Sequence, residues 1–159
     1  MEKIIFREYN SNDREACIKI YNSNVPHFFD SIELDGFKNW LTSKDNLIKA
    51  HKTNTLESYS VVLLKNKIIG CGGFYFTENN TEARMAWGMI EHSYHKLGFG
   101  KLFLEYRILQ IQALNPKITI ALDTTQNTFK FFEKMNFKVT SIRKDYYTKG
   151  LDRYDMVKD

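Results

Sequence analysis

The stretch from Ile90 to Lys101 contains the residue types and the spacing best suited to chemistry. It reads Ile-Glu-His-Ser-Tyr-His-Lys-Leu-Gly-Phe-Gly-Lys, between a run typical of a strand and a run typical of a helix. Gly98 and Gly100 carry no side chain, so an anion can approach the main chain there. The first N–H groups of the helix and the positive end of its dipole would face that anion. The stretch therefore predicts a phosphate-binding turn. Positive charge at the rim of this turn would come from His95, Lys96 and Lys101.

A glycine turn of this kind also occurs where a helix simply packs closely on a sheet, and the turn alone leaves both interpretations open. Two other phosphate motifs are excluded. The dinucleotide-binding fingerprint requires a third glycine and a suitably spaced acidic residue after the next strand, and both are missing here. The nucleotide P-loop requires Gly-Lys-Ser/Thr, whereas Gly100 and Lys101 are followed by Leu102.

The elements around this turn predict a fold of the α/β class, an α+β mixed sheet with helices on both sides. Hydrophobic patterning gives the order β-α-α-β-β-β-α-β-α-β-β, with a central, mostly antiparallel run of strands. The chain has 159 residues and shows no repeat, low-complexity tract or linker, which predicts one domain over residues 1–159.

The first half of this pattern begins with a strand at Lys3–Tyr9. A helix follows, with Asn12 as its N-cap and Glu15 three residues later. Apolar residues at helical spacing between 37 and 41 predict a second helix, and the polar residues 45–57 predict a loop or a short helix. The next strands are predicted at Tyr59–Leu64, Ile68–Phe76 and Ala83–Ile90, the first two forming a hairpin.

The second half begins with a helix over Gly98–Ala113. A buried stripe on this helix is predicted at Leu102, Tyr106, Leu109 and Ala113, and Pro116 marks the end of the helix. The remaining predicted elements are a strand at Ile118–Leu122, a helix at Thr125–Met135 and strands at Phe137–Tyr147 and Arg153–Val157.

Composition and charge exclude several classes of protein. The formal charge of +4, from 23 basic and 19 acidic residues, is not the concentrated basic stripe of a nucleic-acid-binding protein. No apolar run approaches the roughly 20 residues that cross a bilayer, and no signal-type apolar stretch follows the N-terminus. We therefore expect no nucleic-acid partner, no membrane partner and a cytoplasmic location.

The cysteines and histidines predict neither a disulfide nor a metal site. Cys17 and Cys71 fall on a predicted helix and strand, where free cysteine behaves as a small buried hydrophobe. The four histidines lack the spacing to cysteine or carboxylate that zinc sites use. We expect two free thiols and no bound metal.

The turn and the strand before it resemble the GNAT superfamily of acetyl-CoA-dependent N-acetyltransferases. The pyrophosphate signature of that family is Arg or Gln, two residues, Gly, one residue, then Gly or Ala. Here His95 replaces the first residue, and the two glycines are kept. The resemblance implies acetyl-CoA as co-substrate and a sheet splayed between its fourth and fifth strands. It assigns cofactor binding to the turn residues His95, Lys96, Leu97, Gly98, Phe99, Gly100 and Lys101.

The resemblance also assigns cofactor contacts outside the turn. The fourth strand of the family commonly bulges, so that free backbone groups meet the pantetheine arm and the acetyl carbonyl. Trp87, Gly88, Met89 and Ile90 would have that role here. The late Phe-Phe-Glu-Lys segment is similar to the Phe-Tyr-Glu-Lys of the family and places Phe131, Phe132 and Lys134 beside the cofactor, while Thr125 stands where the family often has a pantetheine-binding Asn.

The implied reaction is transfer of the acetyl group to a primary amine of a small molecule or a protein by direct attack. The usual acid of the family is the tyrosine at the position of Phe132, which has no proton to give. Tyr147 is therefore a candidate catalytic phenol, and Glu91 and His92, after the fourth strand, are candidate bases. Phe28 and Phe29, in the segment that roofs the acceptor pocket of the family, are candidate substrate contacts.

One alternative function and one expectation about assembly remain. The missing hydroxyl at Phe132 leaves open a non-catalytic module that binds acyl-CoA. Exposed edge strands at the end of the chain give a physical route to a homodimer.

Overall fold

The computed structural model describes residues 3–159. Its strands are β1 (Ile4–Glu8), β2 (Glu57–Leu64), β3 (Lys67–Phe76), β4 (Glu82–Ile90), β5 (Thr119–Thr124), β6 (Lys138–Thr148) and β7 (Leu151–Lys158). Its α-helices are α1 (Arg14–Ser23), α2 (Leu34–Lys49), α3 (Phe99–Leu114) and α4 (Phe129–Glu133). Short 3-10 turns precede α1 and α2 and follow β4. Among the helices of residues 3–159, none has the length and apolarity needed to cross a bilayer.

The seven strands form one mixed sheet in the order β1-β2-β3-β4-β5-β7-β6. Neighbouring strands are antiparallel except β4 and β5, which are parallel, so the predicted mixed α/β class is confirmed. Within the described residues, β4 and β5 pair only from Glu82–Arg84 to Thr119–Ala121. Because β4 continues to Ile90, a gap separates the two strands beyond this short pairing.

Helices cover both faces of the sheet. Val61 and Val62 are neighbours on β2 and therefore point to opposite faces. On one face the core contains residues of α1 and α2, including Tyr21, Phe37 and Leu41. On the other face, Val62 belongs to a core built on α3, which continues into a cluster shared by α3, β5 and β7. The helix α3 therefore packs beneath both sides of the gap. Cys17 and Cys71 are free and buried, as expected.

The start of α1 and the length of α2 differ from the predictions. Asn10, and not Asn12, is the capping residue, and it caps the 3-10 turn Ser11–Asp13 that leads into α1. The side chain of Asn10 accepts from the N–H of Asn12, and the carboxylate of Asp13 accepts from the N–H of Asn10. The helix α2 extends to Lys49, so the first part of residues 45–57 is helical. The local pattern favours a helix only weakly in this part of the chain. The helix is stabilised by the apolar face of α2 and by the ion pair between Lys44 and Glu57.

The predicted stripe of α3 is wrong, because Leu102 and Leu109 are 46% and 66% exposed. The buried residues of this helix are Phe103, Leu104, Arg107, Ile108 and Ile111. Apolar residues occur on more than one face of α3, so their spacing alone does not determine which face turns inward. The helix α4 is also shorter than predicted, beginning at Phe129, since the hydroxyls of residues 124, 125 and 128 bond to each other and to the loop.

Candidate active site

A bulge in β4 opens the backbone of this strand at the gap. Cys71 pairs with Met89 and Gly73 with Ala86, so Trp87 and Gly88 together oppose one residue of β3. Trp87 has a φ of 46°, in the left-handed region that L-residues rarely adopt. Its carbonyl accepts a hydrogen bond of 2.8 Å from the phenol of Tyr59, which supports this conformation.

The gap leaves part of β4 without a neighbouring strand. Gly88 lies in the middle of the strand and is nevertheless exposed. At the closed end of the gap, Arg84 of β4 forms an ion pair of 3.3 Å with Asp123 of β5, just beyond the last paired residues. The gap therefore has one closed end, and its backbone wall is accessible where Gly88 has no side chain.

The N-terminus of α3 offers free backbone donors. Gly98 has a φ of 88°, no side chain caps the helix, and no atom lies within 4 Å of where a Cβ on Gly98 would be. The N–H groups of Phe99, Gly100 and Lys101 have no acceptor within the helix, because the first of its bonds runs from Leu102 to Gly98. The side chains of Lys96 and Lys101 are exposed nearby. This end of α3 has the donors and charge that an anion needs.

His95 has a different role from the one expected. Its Nε2 lies 2.8 Å from the carbonyl oxygen of Ile90 and donates to it, and Asn24 donates to the same oxygen at 3.0 Å. Burial lowers the pKa of His95 from its ordinary value, so the ring is neutral near pH 7. His95 therefore joins the turn to the end of β4 and does not supply the predicted positive charge.

Tyr147 lies at the closed end of the gap. Its phenol donates a hydrogen bond of 2.5 Å to Oδ2 of Asp123, and the other oxygen of Asp123 faces Arg84 and Arg153. Burial and the charge of Asp123 raise the pKa of Tyr147. Burial likewise raises the pKa of Glu33, with a smaller effect from Asp123. Tyr147 is thus a protonated phenol that donates to an ion-paired carboxylate.

Aromatic rings form a wall over β4. The ring of Phe29 stacks on Trp87 at 6.2 Å, and the ring of Phe28 lies 5.0 Å from His95 and 6.1 Å from His92. A hydrogen bond of 2.6 Å from Asn127 to the carbonyl of His27 joins this segment to the loop before α4. The two predicted substrate contacts therefore lie beside the bulge and the glycine turn.

Comparisons with known proteins agree with this geometry. No protein-family model matches the chain, and no curated protein matches it. A GNAT-family protein from Desulfovibrio desulfuricans superposes with a TM-score of 0.80 at 15% identity, over 98% of both chains. The ribosomal-protein-S18-alanine N-acetyltransferase from Escherichia coli gives 0.74 at 15% identity, over 98% of this chain and 93% of the other. The protein yncA from Salmonella typhimurium, solved with its cofactor acetyl-CoA, gives 0.73 at 16% identity, over 98% and 92%.

This chain has the GNAT fold.

Within the GNAT fold of this chain, most predicted cofactor residues surround the gap and the N-terminus of α3. The exposed Phe131 of α4 faces Gly100, whose Cβ would lie 3.6 Å from that ring. Phe132 is half-buried against Phe137, and Lys134 is exposed beyond α4. Thr125 is only 4% exposed, and its hydroxyl accepts from the N–H of Asn127.

Glu91 points away from the gap of the GNAT sheet. Its carboxylate lies 3.7 Å from Nζ of Lys67 and accepts a hydrogen bond of 3.0 Å from Ser93. Lys67 belongs to β3, which flanks β4 on the side opposite β5. His92, by contrast, is exposed beside Phe28.

The sequence reasoning missed three residues that support the site. Asn24 donates to the carbonyl of Ile90, and Tyr59 donates to the carbonyl of Trp87. These two bonds hold the ends of the exposed part of the β4 backbone. Arg107 of α3 lies beneath the bulge, only 6% exposed. The sequence contains a signal for Arg107. This charged residue stands four positions after Phe103 and directly before Ile108, within the apolar pattern of a buried helix face.

Proposed function

We propose that this protein is an N-acetyltransferase that transfers the acetyl group of acetyl-CoA to a primary amine of a small molecule or peptide. One arrangement carries the proposal. The uncapped N-terminus of α3, where a Cβ on Gly100 would lie 4.0 Å from Ile90, and the β4 backbone that bulges at Trp87 and is exposed at Gly88 together outline a path along the end of β4. Such a path fits a ligand with phosphates at one end and a hydrogen-bonding, chain-like arm at the other.

The residues of this path fit CoA in a definite order. The N–H groups at Phe99–Lys101 hold the pyrophosphate, with Lys96 and Lys101 adding charge. The backbone between Gly88 and Ile90 bonds to the pantetheine arm. One N–H at the bulge meets the oxygen of the acetyl thioester.

The reaction is a direct acyl transfer. The amine nitrogen attacks the thioester carbonyl carbon, so that a C–N bond forms and the C–S bond to CoA breaks. The attacking nitrogen loses a proton to a base, and the sulfur leaves as thiolate and gains a proton to become the CoA thiol. The products are the N-acetylated amine and free CoA.

Tyr147 is the best-supported candidate for the acid. Its phenol is protonated and lies at the closed end of the gap, whereas Phe132 has no proton to give. His92 is the better-placed candidate base, since it is exposed beside Phe28 while Glu91 is paired with Lys67.

A second candidate function is a non-catalytic module that binds acyl-CoA. Phe132 favours it, and so does the bond from Tyr147 to Asp123, which occupies the only proton of that phenol. Release of CoA thiol with any member of a panel of amines supports the enzyme. Binding of acetyl-CoA without release across the panel supports the module.

The first test is thermal unfolding with acetyl-CoA, CoA, NAD and ATP. A ligand at 100 times its Kd adds about 2.7 kcal/mol, and at about 2–4 °C per kcal/mol for this size the expected rise in Tm is about 5–10 °C. We expect the rise with acetyl-CoA and CoA only. Absence of any rise at saturating acetyl-CoA contradicts the proposal.

The chain offers a matched pair of variants for this test. Gly98 and Gly150 both have a positive φ, 88° and 86°, and a Cβ on either would meet open space. Gly98→Ala and Gly150→Ala therefore impose similar backbone strain. Only Gly98→Ala should weaken the effect of CoA on Tm.

A further inference from the structure

The guanidinium of Arg107 is a buried cation with few partners. Its Nη1 lies 3.5 Å from the carbonyl oxygen of Gly73, at the limit of a hydrogen bond, and its buried Nε has no partner. Within residues 3–159, it forms no ion pair with a carboxylate. The ring of Phe103 lies 4.7 Å from the guanidinium carbon.

Two glycines make room for this cation beneath the bulge. A Cβ on Gly88 would lie 2.6 Å from Nη1 and 2.8 Å from Nη2 of Arg107, and a Cβ on Gly72 would lie 3.1 Å from Nη1. The guanidinium therefore contacts the backbone of β4 at the residue where that backbone is exposed to the gap.

An isolated charge in this position requires an explanation. Burying a charge without a partner is costly, and replacement by an apolar residue commonly stabilises a protein. Burial lowers the pKa of Arg107 to about 10, so the group stays charged at neutral pH. A structural residue at this inward position of α3 would be apolar, like its neighbours Leu104, Ile108 and Ile111.

We propose that Arg107 is a positioning residue that holds a fixed positive charge behind the β4 bulge and polarises the thioester carbonyl bound there. This inference rests on the proposed function. Acyl transfer develops negative charge on the carbonyl oxygen, and a preorganised positive charge in a water-poor site stabilises that charge strongly. Arg107 acts through the backbone of β4 at Gly88 and does not touch the acetyl group.

The test compares Arg107→Lys and Arg107→Met with wild type, using Arg143→Met as control. Arg143 is exposed on the edge strand β6, so its loss changes the net charge equally without removing a charge from beneath the bulge. The first measurement is the infrared C=O stretch of acetyl-CoA carrying ¹³C at the carbonyl, bound to each protein. The second is kcat and KM for acetyl transfer to an amine found by screening.

We expect the bound C=O stretch to move to lower wavenumber in wild type, Arg107→Lys and Arg143→Met, and to stay near the free value in Arg107→Met. We expect Arg107→Met to lower kcat by about 10- to 100-fold. This loss is smaller than the largest losses, about 10³-fold, that follow removal of a direct oxyanion donor. KM for acetyl-CoA should change less, and Arg107→Lys should restore most of kcat.

Three results overturn the inference. One is an equal C=O shift in wild type and Arg107→Met, which leaves the proposed function intact. Another is an equal loss of kcat in Arg107→Met and Arg107→Lys, which indicates a purely structural role. The third is absence of acetyl-CoA binding by wild type, which overturns the proposed function as well. If Arg107→Met does not fold, Arg107→Gln replaces it, because Gln keeps polar N–H groups without the charge.

Discussion

The phenol of Tyr147 donates a hydrogen bond of 2.5 Å to the carboxylate of Asp123, which joins the β6–β7 hairpin to the end of β5. Asp123 also faces Arg84 of β4. One carboxylate therefore connects β4, β5 and the hairpin at the closed end of the gap. The bond fixes the place of the candidate catalytic phenol and holds its proton.

This bond predicts a specific loss of stability in alkaline solution. The pKa of Tyr147 is raised above its ordinary value of 10.0, so the unfolded chain loses this proton first as pH rises. The contribution is fully present below about pH 10 and falls as pH increases above it. Tyr147→Phe should therefore show a shallower fall of Tm than wild type from pH 10 upwards. The control is Tyr146→Phe, the exposed neighbour; parallel curves for Tyr147→Phe and wild type would contradict the raised pKa.

Tyr147→Phe should also slow acetyl transfer. General acid catalysis contributes about 10²- to 10⁴-fold, and because a thiolate leaves readily we expect a loss of about 10- to 100-fold in kcat. Acetyl-CoA should still raise the Tm of this variant, since its phosphate and pantetheine contacts are unchanged. An unaltered kcat would show that Tyr147 supports only the hairpin.

The burial of His95 predicts a second pH effect, in the acid range. Burial lowers the pKa of His95 from 6.5, so the unfolded chain takes up a proton first as pH falls. The contribution is fully present above about pH 6.5 and is lost as pH falls through the lowered pKa. His95→Gln keeps a donor for the Ile90 carbonyl but does not titrate. The loss of Tm between pH 7 and 5 should be smaller in this variant, and an identical loss would contradict the assignment.

Two glycine substitutions should change the free energy of unfolding in opposite directions. A Cβ on Gly73 would lie 1.9 Å from the carbonyl oxygen of Ser58, so Gly73→Ala forces β2 and β3 apart. We expect destabilisation near or above the upper end of the ~1–3 kcal/mol range for overpacking. In Gly100→Ala the new Cβ makes an ordinary contact at 3.6 Å with Phe131, and the helix gains up to about 1 kcal/mol. Urea unfolding measures both, and similar midpoints would contradict the prediction.

Local turn chemistry made several features predictable from the sequence. Lys65 and Asn66 both have a positive φ, 50° and 63°, in the tight turn between β2 and β3. Asn136, just after α4, has a φ of 70°, in the left-handed region that asparagine tolerates better than other non-glycine residues. In each case the conformation depends on residues next to one another, so a single sequence contains the signal.

Features that depend on distant partners were not predictable in this way. The face that α3 buries depends on the space that Gly72 and Gly88 leave for Arg107. Asn24 donates to Ile90, and Tyr59 donates to Trp87. The partners in each pair are far apart in the sequence, so no local pattern predicts these bonds. The direction of Glu91 is decided by Lys67 on the adjacent strand. The elements that surround the candidate site could therefore be predicted from the sequence, while the orientation of its side chains required the fold.

The short pairing of β4 and β5 has a kinetic consequence. Within residues 3–159, β4 and β5 share no pairing beyond Arg84, so a chain-like ligand that enters there need not break hydrogen bonds between strands. Its binding then requires no opening of the sheet. We expect association to be limited by diffusion and orientation, with a rate constant that depends on ionic strength through Lys96 and Lys101 and only weakly on the stability of the fold.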